Sequence, residues 1–275
     1  MKYATWLSSL VVAGVASNAA GCRPPAPQTP DAARLERLER RVDKIIEILE
    51  QALPPAEPDP AETYAVPIAA IDPIEGPANA RITVIEGFEF MCPYCAMVHP
   101  TVEALRAKYP RDVRVVAKYM VIHGAQALPP AQAACAGNKQ GKYSEMKAAL
   151  WARAYRIEDE RPVNQGPITF EVAQELASSL KLDGARFVAD FASDDCKMWA
   201  AGGDRAMSAV GASGTPTFFI NGRYVNGAVP LEALDEVVQE ELAKADRAIA
   251  AGVRPEDYYA SVVKKGQTKV KSRFE

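Results

Sequence analysis

Histidine is nearly missing from this sequence, with only His99 and His123 among 275 residues. Cysteine is scarce as well, at five residues. Charge of one sign does not dominate: 32 Lys and Arg face 35 Asp and Glu, for a net charge of −3. A balance of that kind gives no reason to expect nucleic-acid binding. A long membrane-spanning run is also missing from the start of the chain. The apolar stretch Ala4 to Ala16 (ATWLSSLVVAGVA) holds thirteen residues, a helical rise of about 20 Å against a hydrocarbon core of about 30 Å. The shortage of histidine argues against a histidine-rich metal site, and the apolar stretch is too short to span a membrane.

What the amino terminus does contain reads as an export signal. One positive charge in Met1-Lys2-Tyr3 precedes the apolar stretch, the order of a secretory signal peptide. Its end, Ala19-Ala20-Gly21-Cys22, resembles a bacterial lipobox, although Ala19 stands where leucine is usual. Cys22 is expected to carry a lipid and to begin the mature chain; an ordinary small-residue cleavage site is the alternative. Export leaves four cysteines in a compartment where disulfides persist. Cys92 and Cys95 are close enough to pair, which leaves Cys135 with Cys196. A bridge closing that loop is worth roughly 4 kcal/mol on a chain-entropy argument.

A proline-rich spacer follows Cys22, then DAARLERLERRVDKIIEILEQAL from Asp31 to Leu53, with no glycine or proline inside. Leu35, Leu38, Val42, Ile45, Leu49 and Ala52 are spaced 3, 4, 3, 4 and 3, an a/d heptad seam. Asp31 is placed to cap this helix, and Glu36 and Arg40 form an i,i+4 pair. Either the helix folds back onto its own domain or it self-associates. Prolines on both sides isolate it, and an isolated helix of this length is marginal without a partner. Self-association is therefore expected, as a dimer or, given Ile46 and Ile48 on the flanks, a trimer.

Beyond a second proline-rich linker, strands are expected at Arg81–Phe88 and Val113–Met120. Helical patterning fills most of 125–208, and a hairpin is expected around Asn221-Gly222, a strong two-residue turn signal. A helix from Leu231 to about Ala251 completes the pattern. The strand at 81–88 runs into Cys92-Pro93-Tyr94-Cys95 at the start of a helix. Unpaired N–H groups there favour a thiolate, and Pro93 suits a first helical position. Cys92 is then the nucleophile and Cys95, one turn deeper, the resolving thiol. A Cys-x-x-Cys pair alone supplies two of the four ligands that structural zinc needs. A Cu(I) ion held by the two thiolates is the open metal alternative; otherwise no cofactor is expected beyond the Cys92–Cys95 couple.

The motif and a distant Gly214-Thr215-Pro216-Thr217-Phe218-Phe219 together resemble the thioredoxin superfamily, specifically its DsbA-like thiol–disulfide oxidoreductases. The resemblance implies an α/β thioredoxin fold with an inserted helical domain, here preceded by a coiled-coil helix. It implies a cis peptide before Pro216 opposite the cysteines, with Thr215 offering its backbone to substrate. It places Glu86, six residues before Cys92, on a buried strand where it would take up the Cys95 proton; a water-facing strand edge is the alternative. Tyr94 would tune the potential and touch substrate, whereas Glu89 is expected to be exposed near the site. Pro-Tyr, Thr215 and the amino-terminal helix resemble the oligomeric ScsC-like subgroup.

The expected organisation is thus a signal peptide over 1–21 and a lipidated spacer over 22–30. An oligomerising helix over 31–53 and a linker over 54–67 come next. The thioredoxin fold occupies 68–124 and 210–251, with a helical insertion over 125–209 and a solvated basic extension over 252–275. The expected partners are exported proteins with free thiols or wrong disulfides, a membrane redox protein that recycles the couple, the membrane itself through Cys22, and further copies of the chain.

Overall fold

The computed structural model describes residues 30–53 and 56–271, the side chains of Pro30 and Asp204 excepted. The signal segment and Cys22 lie outside these residues. Among the described residues, no helix is long and apolar enough to cross a membrane. The chain divides into two units, one ending at Ala52 and one starting at Leu53.

Within the first unit, α1 (Pro30–Ala52) is one uninterrupted helix. Pro30 begins it, so Asp31 lies in the first turn rather than at the cap, where its charge still suits the positive end of the helix dipole. Glu36 and Arg40 pair at 3.6 Å, a surface contact of small energetic weight. The heptad seam is exposed: Leu35, Leu38, Val42, Ile45 and Leu49 all face solvent.

The second unit is built on a five-stranded sheet ordered β1-β3-β2-β6-β7. The short β1 (Ile74–Glu75) runs antiparallel to β3 (Val113–Tyr119), which is parallel to the central β2 (Ile82–Phe88). A parallel neighbour needs a crossover, and α2 (Pro93–Lys108) supplies it. Every residue of β2 is buried, Thr83 and Glu86 included, so the strand lacks the apolar–polar alternation of a half-exposed one. Antiparallel to β2 lies β6 (Thr217–Ile220), followed by β7 (Arg223–Asn226). The intervening Asn221-Gly222 turn has both residues at positive φ, 45° and 85°. Asn221 is buried; its side chain accepts from the Thr83 amide at 2.9 Å and donates to the Arg81 carbonyl at 3.0 Å, tying the hairpin to β2.

Between β3 and β6 the chain leaves the sheet. A 3-10 turn over Gly124–Ala127 leads to α3 (Leu128–Lys139) and α4 (Tyr143–Ala154). Then come β4 (Tyr155–Glu158), β5 (Arg161–Asn164), α5 (Phe170–Ser179), α6 (Gly184–Ala192) and α7 (Asp194–Ala209). The helices occupy the stretch where helical patterning was expected, and the β4–β5 hairpin lies between two of them, where no element was expected. Its turn residues Asp159 and Glu160 both have positive φ, 47° and 62°, without the glycine that usually marks such a turn. Cys135 on α3 and Cys196 on α7 form a disulfide with Cα atoms 5.4 Å apart.

Two segments read as linker and tail belong to the core instead. Tyr64 and Val66 are 2% and 0% exposed, and the Tyr64 amide donates to the Gly222 carbonyl at 2.8 Å. After α8 (Leu231–Ala250), the expected solvated extension forms α9 (Pro255–Val263), with Tyr258 and Tyr259 buried. The Tyr259 hydroxyl donates to the Val66 carbonyl at 2.7 Å, and the Gln267 amide to the Thr63 carbonyl at 2.7 Å. The apolar side chains that drive this docking are too few and too spread out to show a periodicity in sequence.

Candidate active site

Cys92 is the N-cap of α2, and Pro93 occupies the first turn. The Cys92 Sγ accepts from the Cys95 amide at 3.4 Å and lies 3.4 Å from the Thr215 carbonyl oxygen, to which the thiol donates. Both cysteines are free and buried, at 2% and 1% exposure. The Thr215–Pro216 peptide is cis. The fold thus brings together residues separated by more than a hundred positions.

The two sulfurs are electrostatically unlike. A hydrogen bond from the Cys95 thiol, helped by Thr215 and the Tyr94 and Cys95 amides, lowers the Cys92 pKa to about 6 against the opposing effect of burial. Burial and the neighbouring Cys92 push Cys95 well above its ordinary value. Cys92 is therefore largely thiolate at neutral pH while Cys95 keeps its proton. The buried Thr215 hydroxyl has no hydrogen-bond partner of normal geometry, and it lowers the pKa of both sulfurs. Tyr94 is 61% exposed beside them.

Glu86 is 5% exposed on β2, opposite Ala117 and Phe218. Desolvation raises its pKa to about 7, opposed mainly by Lys147. Around it runs an ion-pair network. Lys147 holds Glu75 and, at 2.8 Å, Glu103; Arg106 holds Glu103 at 2.6 Å and Glu75 at 3.1 Å. Among the described residues, the Glu86 carboxyl has no ion pair or side-chain hydrogen bond. His99 stacks on Trp151 with centroids 5.7 Å apart, and desolvation lowers its pKa to about 4, so it is a packed neutral ring.

Sequence reasoning placed Glu89 in solvent; it is 0% exposed. A carboxylate three residues before the nucleophile is buried, and it accepts there from three donors in the loop after β3. Two tyrosines also escaped the sequence reading. The Tyr155 hydroxyl, at the base of the β4–β5 hairpin, donates to the Met91 carbonyl at 2.6 Å. That of Tyr119 accepts from the Phe90 amide at 3.2 Å and donates to the Ala127 carbonyl at 2.7 Å. No local pattern marks either, because the bonds to Phe90 and Met91 span 29 and 64 residues.

A dithiol at a helix N-terminus, a cis-proline opposite it and a helical insertion between β3 and β6 define a DsbA-like thioredoxin-fold protein. The chain belongs to the Thioredoxin family, whose profile matches residues 70–240. It is 33% identical over 187 residues to the Na(+)/H(+) antiporter NhaA 3 of Salinispora tropica, covering 67% of this chain and 27% of that protein. The chain spans about a quarter of the length of the curated relatives it matches first. It is also 26% identical to the thiol:disulfide interchange protein DsbA of Bordetella pertussis, over 57% of this chain and 71% of that protein. A linker-deletion variant of Proteus mirabilis ScsC shares the fold with a TM-score of 0.57 and 22% identity, covering 80% of this chain and 99% of that one.

Proposed function

We propose that this protein is an exported thiol–disulfide oxidoreductase that forms or isomerises disulfides in other exported proteins. The observation that carries the reading is the unequal pair: a thiolate-favouring Cys92 against a buried, protonated Cys95. In the reducing direction the Cys92 thiolate attacks a substrate disulfide, forming a mixed disulfide and releasing one substrate thiolate. Cys95 then loses its proton and attacks Cys92 Sγ, which expels the second substrate thiolate and leaves a Cys92–Cys95 disulfide. The same steps reversed oxidise a substrate dithiol. Glu86 receives the Cys95 proton, a role supported by a buried carboxyl poised near neutral pH. Thr215, Pro216, Pro93 and Tyr94 line the surface an extended substrate segment crosses.

Cys22 tethers the protein to the cell envelope through a lipid, a membrane redox protein resets the couple, and α1 assembles copies through its exposed seam. A Cu(I)-binding role without turnover needs only the same two thiolates. One assay separates the readings: refolding of reduced and of scrambled ribonuclease A by the protein and its Cys92→Ala variant. Turnover that disappears in the variant supports the enzyme. No turnover by the wild-type protein, together with tight Cu(I) binding, overturns it.

A further inference from the structure

Glu89 is a fully buried acid whose side chain has no part in the exchange chemistry just described. Its carboxylate accepts from the Ile122 amide at 3.0 Å and the His123 amide at 3.1 Å, and pairs with His123 Nδ1. Burying a carboxylate is costly unless its lone pairs are bonded, and here three donors converge on it from one loop. The main chain of the same residue reaches the motif itself. Its carbonyl accepts from the Cys92 amide at 3.3 Å, and its backbone lowers the Cys95 pKa against the larger effect of burial. The loop it grips continues through the 3-10 turn Gly124–Ala127 into α3, which carries Cys135.

We propose that Glu89 is a positioning residue for the dithiol. Its carboxylate clamps the turn before the motif to the loop after β3, which fixes the main-chain groups that touch Cys92 and Cys95. The inference rests on the exchange reading above. The His123 side chain, 42% exposed, is the outer half of the clamp and shields the carboxylate. Tyr119 from β3 and Tyr155 from β4 lie near enough for the Glu89 charge to help raise their pKa values. A clamp of this kind transmits the position of the inserted helices to the sulfurs. A simple brace for the fold would leave the sulfur chemistry unchanged.

The test titrates the Cys92 thiolate by its absorbance near 240 nm and measures the redox equilibrium with glutathione, beside thermal unfolding. Glu89→Gln keeps a carbonyl acceptor for the loop amides, so its midpoint stays within about 0.3 pH unit of wild type. Glu89→Ala loses the acceptor and moves the midpoint up by about one unit, which is about tenfold less thiolate at pH 5. His123→Ala moves it in the same direction by less. A folded Glu89→Ala protein with wild-type titration and glutathione equilibrium, and only a lower melting temperature, overturns the proposal. Should Glu89→Ala fail to fold, Glu89→Gln decides together with His123→Ala. A midpoint that falls in Glu89→Gln marks a charge effect and overturns positioning, whereas an unchanged one with an upward shift in His123→Ala supports it. A wild-type protein that shows no exchange with glutathione defeats the exchange reading itself, a separate outcome.

Discussion

Two ionisable residues in this protein carry opposite pH signatures. Cys92 has a folded pKa of about 6, below that of an unfolded thiol near 8.5. Its thiolate therefore stabilises the reduced fold fully above the unfolded value, and that stability is lost as pH falls through 6. The stability difference between reduced wild type and Cys92→Ala should grow by roughly 2 to 3 kcal/mol from pH 5 to pH 8, read by urea unfolding at each pH. Glu86 behaves in the reverse sense. Its pKa is raised to about 7 from 4.5, so the fold binds the extra proton and loses stability as pH rises through that window. Glu86→Gln should be more stable than wild type at pH 8, on the order of 3 kcal/mol, and indistinguishable at pH 4. Equal melting temperatures at pH 8 would show that Glu86 is not poised as described. The Cys-x-x-Cys pair and its helix start were legible in sequence because cap, nucleophile and first-turn proline are neighbours. The burial of Glu89 was not, since its donors lie more than thirty residues away.

Elements meet this site through close backbone approaches. A Cβ on Gly203 of α7 would sit 2.2 Å from the Tyr119 carbonyl oxygen on β3, a contact that neither rigid element can relieve. Gly203→Ala should therefore push α7 off the sheet and cost more than about 2 kcal/mol in chemical denaturation. It should also disturb the aromatic packing of Tyr119 against Trp199, whose centroids are 5.7 Å apart. A wild-type midpoint for the variant would show that α7 is looser than the geometry implies. Helices of the insertion were readable from period and length. The β4–β5 hairpin was not, because Asp159-Glu160 lacks the glycine signal and Ile157 and Val163 are too exposed to stand out as a buried strand.

At the scale of the whole molecule, the exposed seam of α1 is what the proposed self-association rests on. Burying Leu35, Leu38, Val42, Ile45 and Leu49 in a coiled coil removes apolar area from water at about 25 cal/mol per Å². Deleting Asp31–Leu53 should reduce the mass in solution to that of one chain. Isomerisation of scrambled ribonuclease should fall with it, while oxidation of a dithiol peptide persists. A full-length protein that is already monomeric by light scattering, with equal activity after truncation, would remove α1 from the mechanism.

Sequence alone determined the dithiol, the thioredoxin-type framework and the heptad helix. The dithiol and the heptad helix are each written in residues a few positions apart, where helix period and caps act locally. The framework was legible through the resemblance carried by Cys92–Cys95 and the distant Thr215-Pro216. Tertiary structure alone decided that Glu89 lies buried, that Tyr155 braces Met91, and that the segments at 56–66 and 252–271 join the core. Those outcomes depend on hydrogen bonds and apolar contacts between distant parts of the chain. Their energetic reward exists only once the sheet has brought the partners within reach.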